Sequence, residues 1–157
     1  MNISLVRPLP DGVGRVSQWF GEHPEWYAKY GHPGHSGIDY AAPLGTPVIA
    51  THNGRCFVGW DQDGYGRYIK LVDESGEWQT LYAHLNATCV VNEQVVKQNE
   101  TIGNVGSTGN STGNHLHFEV RFIGDHKDRS GYKGRVNPVP FRDATAQRKV
   151  TNEECDG

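Results

Sequence analysis

At 157 residues and a formal net charge of −3, the chain has the length of one domain and can bury a core without staples. So mild a charge leaves no electrostatic footprint for nucleic acid or an anionic membrane surface, and no apolar run approaches membrane-spanning length. Twenty glycines and eight prolines point to short strands and tight turns rather than a helical bundle.

The opening, MNISLVRPLPDGVG, has neither a basic n-region nor an uninterrupted apolar h-region, so no signal peptide is predicted. SLVRPL and RVSQWFG read as early strands. HPEWYAKYG reads as one short helix, with Pro24 suited to its first turn and Gly31 to its stop. GIDYAA, TPVIATHNG, RCFVGW, RYIKLVD and WQTLYAHL follow as short apolar-rich runs, with DQDGYG and DESGE as hairpin turns between neighbours. TIGNVGSTGNSTGN has too much Gly, Ser, Thr and Asn for a regular element and reads as a surface loop. HLHFEV is a strand, GDHKDRSGYKGR a polar loop and VNPVPF an extended closing segment. No internal repeat or linker divides the chain. The expected fold class is mainly β: a single antiparallel β-sheet or sandwich domain with long loops and one short helix.

Cys56, Cys89 and Cys155 are odd in number and form no C-x-x-C pair. Cys56 alternates with Val58 and Trp60 and reads as a buried free thiol; a Cys56–Cys89 disulfide is allowed but not demanded. Cys155, in the polar TNEECDG, reads as exposed.

Of eight histidines, His23, His32, His52 and His126 read as solvated residues of turns and loops, His32 being close enough in sequence to the others to stay in view. His35, His84, His115 and His117 fall in three strand-like segments. Alternation in HLHFEV puts His115, His117 and Glu119 on one face and Leu116, Phe118 and Val120 on the other. If HSGIDY is extended, His35 and Asp39 share a face, with Gly37 between them leaving the approach open. An imidazole and a carboxylate from one strand and an imidazole from another make three N/O ligands, the set of a catalytic zinc site with one open position. Either motif alone is a common surface pattern. The signal is their conjunction with a third histidine in YAHL and a glycine-rich loop before H-x-H.

These pieces, GHSGIDYAAPLGTPVIATHNG, GYGRYIKL, TLYAHL and TIGNVGSTGNSTGNHLHFEVR, stand in one order over residues 34 to 121. They resemble the LytM/lysostaphin-type zinc metallopeptidases, peptidase family M23, whose members cleave peptide bonds in bacterial peptidoglycan. Residues 1 to 33 match only through VSQWFG, and TCVVNEQVVKQN departs from the family pattern, with Asn92 and Asn99 in place of glycines. The resemblance implies a lysostaphin-like peptidase fold, with an N-terminal extension over 1–33, a peptidase core over 34–142 and a polar tail over 143–157. It implies one zinc per chain, bound by His35, Asp39 and His117, with His84 and His115 as catalytic histidines that do not bind the metal. His115 is the expected base and His84 the expected oxyanion partner, an assignment that the two can exchange. Glu119 would orient a ligand imidazole or form a surface salt bridge. Tyr30, Tyr65 and Trp60 are candidates to line a peptide groove, Trp60 being favoured for core packing.

The partner implied is peptidoglycan peptide, with no nucleic acid, no membrane insertion and a monomeric chain. The setting implied is the bacterial cell wall, reached by phage release, on a virion or by another secretion route. A non-catalytic relative, a virion structural component and a D-Ala-D-Ala carboxypeptidase or amidase are the competing readings. Asn2, Glu22 and His32 are the upstream residues able to fill an open zinc position.

Overall fold

The computed structural model describes residues 3–125 and 131–141. Ten strands form one antiparallel sheet: β1 (Arg15–Gln18), β2 (Ile38–Ala41), β3 (Pro47–Ile49), β4 (Gly54–Asp61), β5 (Gly66–Val72), β6 (Trp78–Thr88), β7 (Val95–Val96), β8 (Thr101–Val105), β9 (His115–Phe122) and β10 (Arg135–Val136). The main path runs β1-β2-β9-β6-β5-β4-β7, with β10 added to β9, β8 to β6 and β3 to β8. Among the described residues the one α-helix, α1 (Pro24–Tyr27), starts on Pro24 and runs into a 3-10 turn that Gly31 ends in the left-handed conformation, as predicted. DQDGYG and DESGE do close the β4–β5 and β5–β6 hairpins. Among the described residues no helix is long and apolar enough to cross a membrane.

Alternating residues explain the core. Ile69 and Leu71 of β5, Tyr82 and Leu85 of β6, and Leu116, Phe118 and Val120 of β9 point into one buried cluster. The opposite face of β9 carries His115, His117 and Glu119. Cys56 is a buried free thiol inside the cluster, so it does not pair with Cys89.

Several expectations change. SLVRPL forms no named strand. Its Leu5 and Val6 donate single backbone bonds to Phe141 and Thr51 while Leu5 and Leu9 enter the core, because Pro8 and Pro10 lack the N–H groups that a ladder needs. The presumed loop 101–114 begins with strand β8, whose Ile102 and Val105 are buried. Gly103 sits in β8 because a Cβ there would lie 2.8 Å from the Ala87 carbonyl oxygen of β6. VNPVPF ends in a 3-10 turn, Val139–Phe141, instead of staying extended. His52 is buried, not solvated: Nε2 lies 2.8 Å from Thr80 Oγ1 and Nδ1 2.8 Å from the Asn53 carbonyl. Burial lowers its pKa. Asn2, His126, Cys155 and the segment 143–157 lie outside the described residues.

Two features of the sheet prepare the site. Strand β6 pairs with β9 only as far as Ala83↔His117, then pairs with β8 from Leu85↔Val105. His84 stands at that switch with φ 62°, a left-handed backbone that turns its side chain out of the normal alternation. The other feature is Gly37. A Cβ there would meet the Phe118 carbonyl oxygen at 2.2 Å, so the glycine lets the chain before β2 lie against β9 rather than merely leaving the approach open. Gly37→Ala is expected to destabilise by about 1–3 kcal/mol, read by urea unfolding, because it forces two backbones apart. An unchanged midpoint would show that the strands can part without cost.

Candidate metal and catalytic centre

Asp39 and His117 are direct cross-strand partners on β2 and β9, so their side chains leave the same face. His35, four residues before Asp39, is fixed by its backbone: its N–H donates to the Glu22 carbonyl and its carbonyl accepts from Gly21. The three side chains meet. His35 Nε2 lies 3.1 Å from His117 Nδ1 and 3.2 Å from Asp39 Oδ1, and His117 Nδ1 lies 2.7 Å from that oxygen. The three candidate ligand atoms all fall within 4.8 Å of one another.

The outer atoms of the rings say what this convergence means. His35 Nδ1 lies 3.1 Å from the Trp19 carbonyl, an acceptor only, so Nδ1 carries the hydrogen and Nε2 turns a lone pair inward. His117 Nε2 lies 2.7 Å from Glu119 Oε2, so Nε2–H donates outward and Nδ1 turns its lone pair inward. With Asp39, three ligand-type atoms converge on one point, a group that could hold a metal ion. Tetrahedral zinc with ligands at these donor types separates them by roughly 3.3 Å, close to what is found. The donor set therefore fits zinc. In the free protein a proton can serve instead: burial works against it, but the bonds to Asp39 and Glu119 overrule burial and raise His117 to about 10. Asp39, whose burial alone would raise it, is held well below the usual carboxylate range by the same two imidazoles.

Glu119 is buried (2% exposed), which removes the surface salt-bridge reading. Its Oε2 accepts from His117, from Ser36 Oγ at 2.8 Å and from the Tyr65 hydroxyl at 2.7 Å. Its Oε1 accepts from Arg135 Nε at 2.6 Å. These donors and the Arg135 charge outweigh burial and hold it far below the ordinary carboxylate range. Ser36 and Arg135 were not singled out from sequence. Ser36 had a signal in its place inside HSGID; Arg135 had none.

His84 and His115 complete the constellation, with ring centroids 4.7 Å apart and His84 6.1 Å from His117. His84 Nδ1 donates to the Thr108 carbonyl at 2.7 Å, and burial lowers its pKa to about 4. His115 Nδ1 donates to the Gly113 carbonyl at 2.9 Å. Its Nε2 lies 3.8 Å from Asp39 Oδ2. With Nδ1 so committed, each ring keeps an Nε2 lone pair, and both rings line the cavity beside the metal-type site.

Asp39, His84, His115 and His117 line a cavity of about 780 Å³, with His35 buried behind them. One wall is α1 and its 3-10 extension, the other the 61–65 turn and the 110–112 loop. Asn110 Nδ2 donates to the Tyr30 hydroxyl at 3.0 Å, joining the walls. Tyr30 and Tyr65 line the cavity, as does His32; Glu22 does not, and pairs instead with His23 at 3.7 Å. Trp60 neither packs in the core nor lines the cavity. It is 56% exposed at the end of β4, beside the Arg67 guanidinium. Trp26 and Tyr27 were missed as wall residues because the short helix buries none of its side chains, so no apolar stripe marks its inner face.

The sequence model of peptidase family M23 matches residues 33–129. A DD-carboxypeptidase/endopeptidase, Mpg, from Neisseria meningitidis serogroup B is 49% identical over 105 residues, 67% of this chain and 22% of that protein. Lysostaphin from Staphylococcus simulans is 32% identical over 132 residues, 80% of this chain and 26% of its own length. The chain thus spans about a quarter or less of these relatives. The catalytic domain of lysostaphin superimposes with a TM-score of 0.69 at 30% identity, covering 82% of this chain and 91% of that domain. A zinc-containing peptidase from Vibrio cholerae gives 0.70 at 26% identity, covering 94% of this chain and 41% of that one.

Proposed function

The chain belongs to peptidase family M23, and from that premise we propose that it is a zinc-dependent endopeptidase hydrolysing peptide bonds of bacterial peptidoglycan, in stem peptides or cross-bridges. The observation that carries this reading is the convergence of two imidazoles and a carboxylate at the edge of a peptide-sized cavity, which two further imidazoles, His84 and His115, also line. Zinc held by His35, Asp39 and His117 would supply Lewis-acid polarisation of the scissile carbonyl and lower the pKa of water toward about 7.

The chain's own residues divide the remaining work. His115 Nε2 takes a proton from the attacking water, and the nearby Asp39 carboxylate stabilises the imidazolium formed. That proton then passes to the leaving amine. His84, with Nδ1–H committed to Thr108, offers a second acceptor and orients the water. In this tautomer it has no hydrogen to give an oxyanion, so the role expected from sequence passes to one of water positioning. Glu119 holds the His117 ring and its tautomer. Two Vibrio cholerae relatives named as peptidoglycan DD-endopeptidases, 38% and 39% identical over 86 and 94 residues, support this polymer as the substrate.

The test is digestion of purified peptidoglycan with and without a chelator, scoring new amino groups and new reducing ends separately. Chelator-sensitive amino groups that return with added zinc, without reducing ends, are the expected result. No release from several wall chemotypes by zinc-loaded protein would instead make this a latent or non-catalytic relative.

A further inference from the structure

Among the described residues lining the cavity, Lys29 is the one lysine or arginine. Its Nζ sits 5.1 Å from the centroid of the Tyr30 ring, whose hydroxyl is held across the cavity by Asn110. It takes part in no ion pair among the described residues. The carboxylates of the centre cannot serve it: Asp39 is committed to His35 and His117, and Glu119 to Arg135 and His117. Lys29 is thus an ammonium placed by an aromatic face, on the wall of the substrate cavity, with its donors unspent.

Peptidoglycan bonds differ in what adjoins the scissile nitrogen. In a bond between two D-configured centres, the carbon bearing that nitrogen also bears a free carboxylate. This is true of a D-Ala–D-Ala terminus and of D-alanine joined to the D-centre of diaminopimelate. In a polyglycine bridge the same carbon leads to another neutral amide. We propose that Lys29 binds this carboxylate, so that the cavity selects bonds whose leaving residue carries a free acid. The inference rests on the peptidoglycan reading above and narrows its substrate class.

The test uses the full chain loaded with zinc and two matched pairs of ligands. One pair is a stem pentapeptide ending in D-Ala-D-Ala, as free acid and as C-terminal amide. The other is a cross-linked dimer with the diaminopimelate carboxylate at the cross-link free or amidated. Equilibrium binding is measured on zinc-loaded His115→Ala protein, in which turnover is slowed, with ligand integrity checked by mass spectrometry after each titration. Each acid should bind roughly tenfold or more tighter than its amide, as expected for a charge-assisted hydrogen bond. Adding Lys29→Gln should bring that ratio near one, and Lys29→Arg should preserve it. A preference confined to one pair assigns the carboxylate's source. Equal binding of acid and amide, or a ratio that survives Lys29→Gln, would overturn the assignment. If Lys29-dependent binding holds but the wild-type chain cuts neither peptides nor whole wall, the catalytic reading fails and the carboxylate subsite stands.

Discussion

His117→Ala is expected to abolish both zinc binding and hydrolysis, whereas His115→Ala should keep one zinc per chain and lower kcat by roughly 10²–10⁴. The two residues are neighbours on one face of β9, yet their atoms do different things. His117 Nδ1 lies 3.1 Å from His35 Nε2 and 2.7 Å from Asp39 Oδ1, at the centre of the acceptor cluster. Its removal leaves two ligands and strips Glu119 of a donor. His115 comes no closer to the cluster than 3.8 Å, through Asp39 Oδ2, and its other nitrogen is tied to Gly113. Its removal costs a proton acceptor and leaves the ligand set whole. Metal content by atomic absorption, read beside turnover of soluble peptide, separates the two variants. Near-normal turnover by His115→Ala would show that the base is elsewhere, with His84 as the next candidate.

The period-2 alternation of HLHFEV made the histidine face legible from the chain, because a strand's two faces follow from counting. Asp39 opposite His117 could not be read that way, since register between β2 and β9 is a property of the pair. His84 was visible in YAHL, but its left-handed turn arises where β6 changes partner, which no local pattern records. Trp60 misled for a related reason. It continues the alternation of Cys56 and Val58, yet β4 outlasts the core beneath it. Strand β8 was hidden by composition: glycine at 103 signals a turn in isolation, whereas here it admits the backbone of β6. Glu119 lay on the right face, but its burial depends on Arg135, arriving from β10 sixteen residues later.

Glu119→Gln should destabilise the protein by about 3–5 kcal/mol and weaken zinc binding by about 10–100-fold. The carboxylate is surrounded by donors alone: His117, Ser36 and Tyr65 on one oxygen, Arg135 on the other. A carboxamide keeps one acceptor oxygen and turns an NH₂ group toward whichever donors meet its nitrogen. Arg135 is left as a half-buried cation without its counter-ion, and His117 loses the charge that fixes its tautomer. For a domain of this size the stability loss corresponds to a fall in Tm of about 6–20 °C. The pH dependence has a definite sign. Because the folded state depresses the Glu119 pKa, the carboxylate's stabilisation is complete above the unfolded value near 4.5 and declines as pH falls below it. The gap in Tm between wild type and variant should therefore narrow in acid. Combining Glu119→Gln with Arg135→Met should recover much of the stability but not the zinc affinity, because the first loss belongs to the stranded guanidinium and the second to His117. Recovery of both together would mean that Glu119 acts on the metal centre only by keeping β9 and β10 folded.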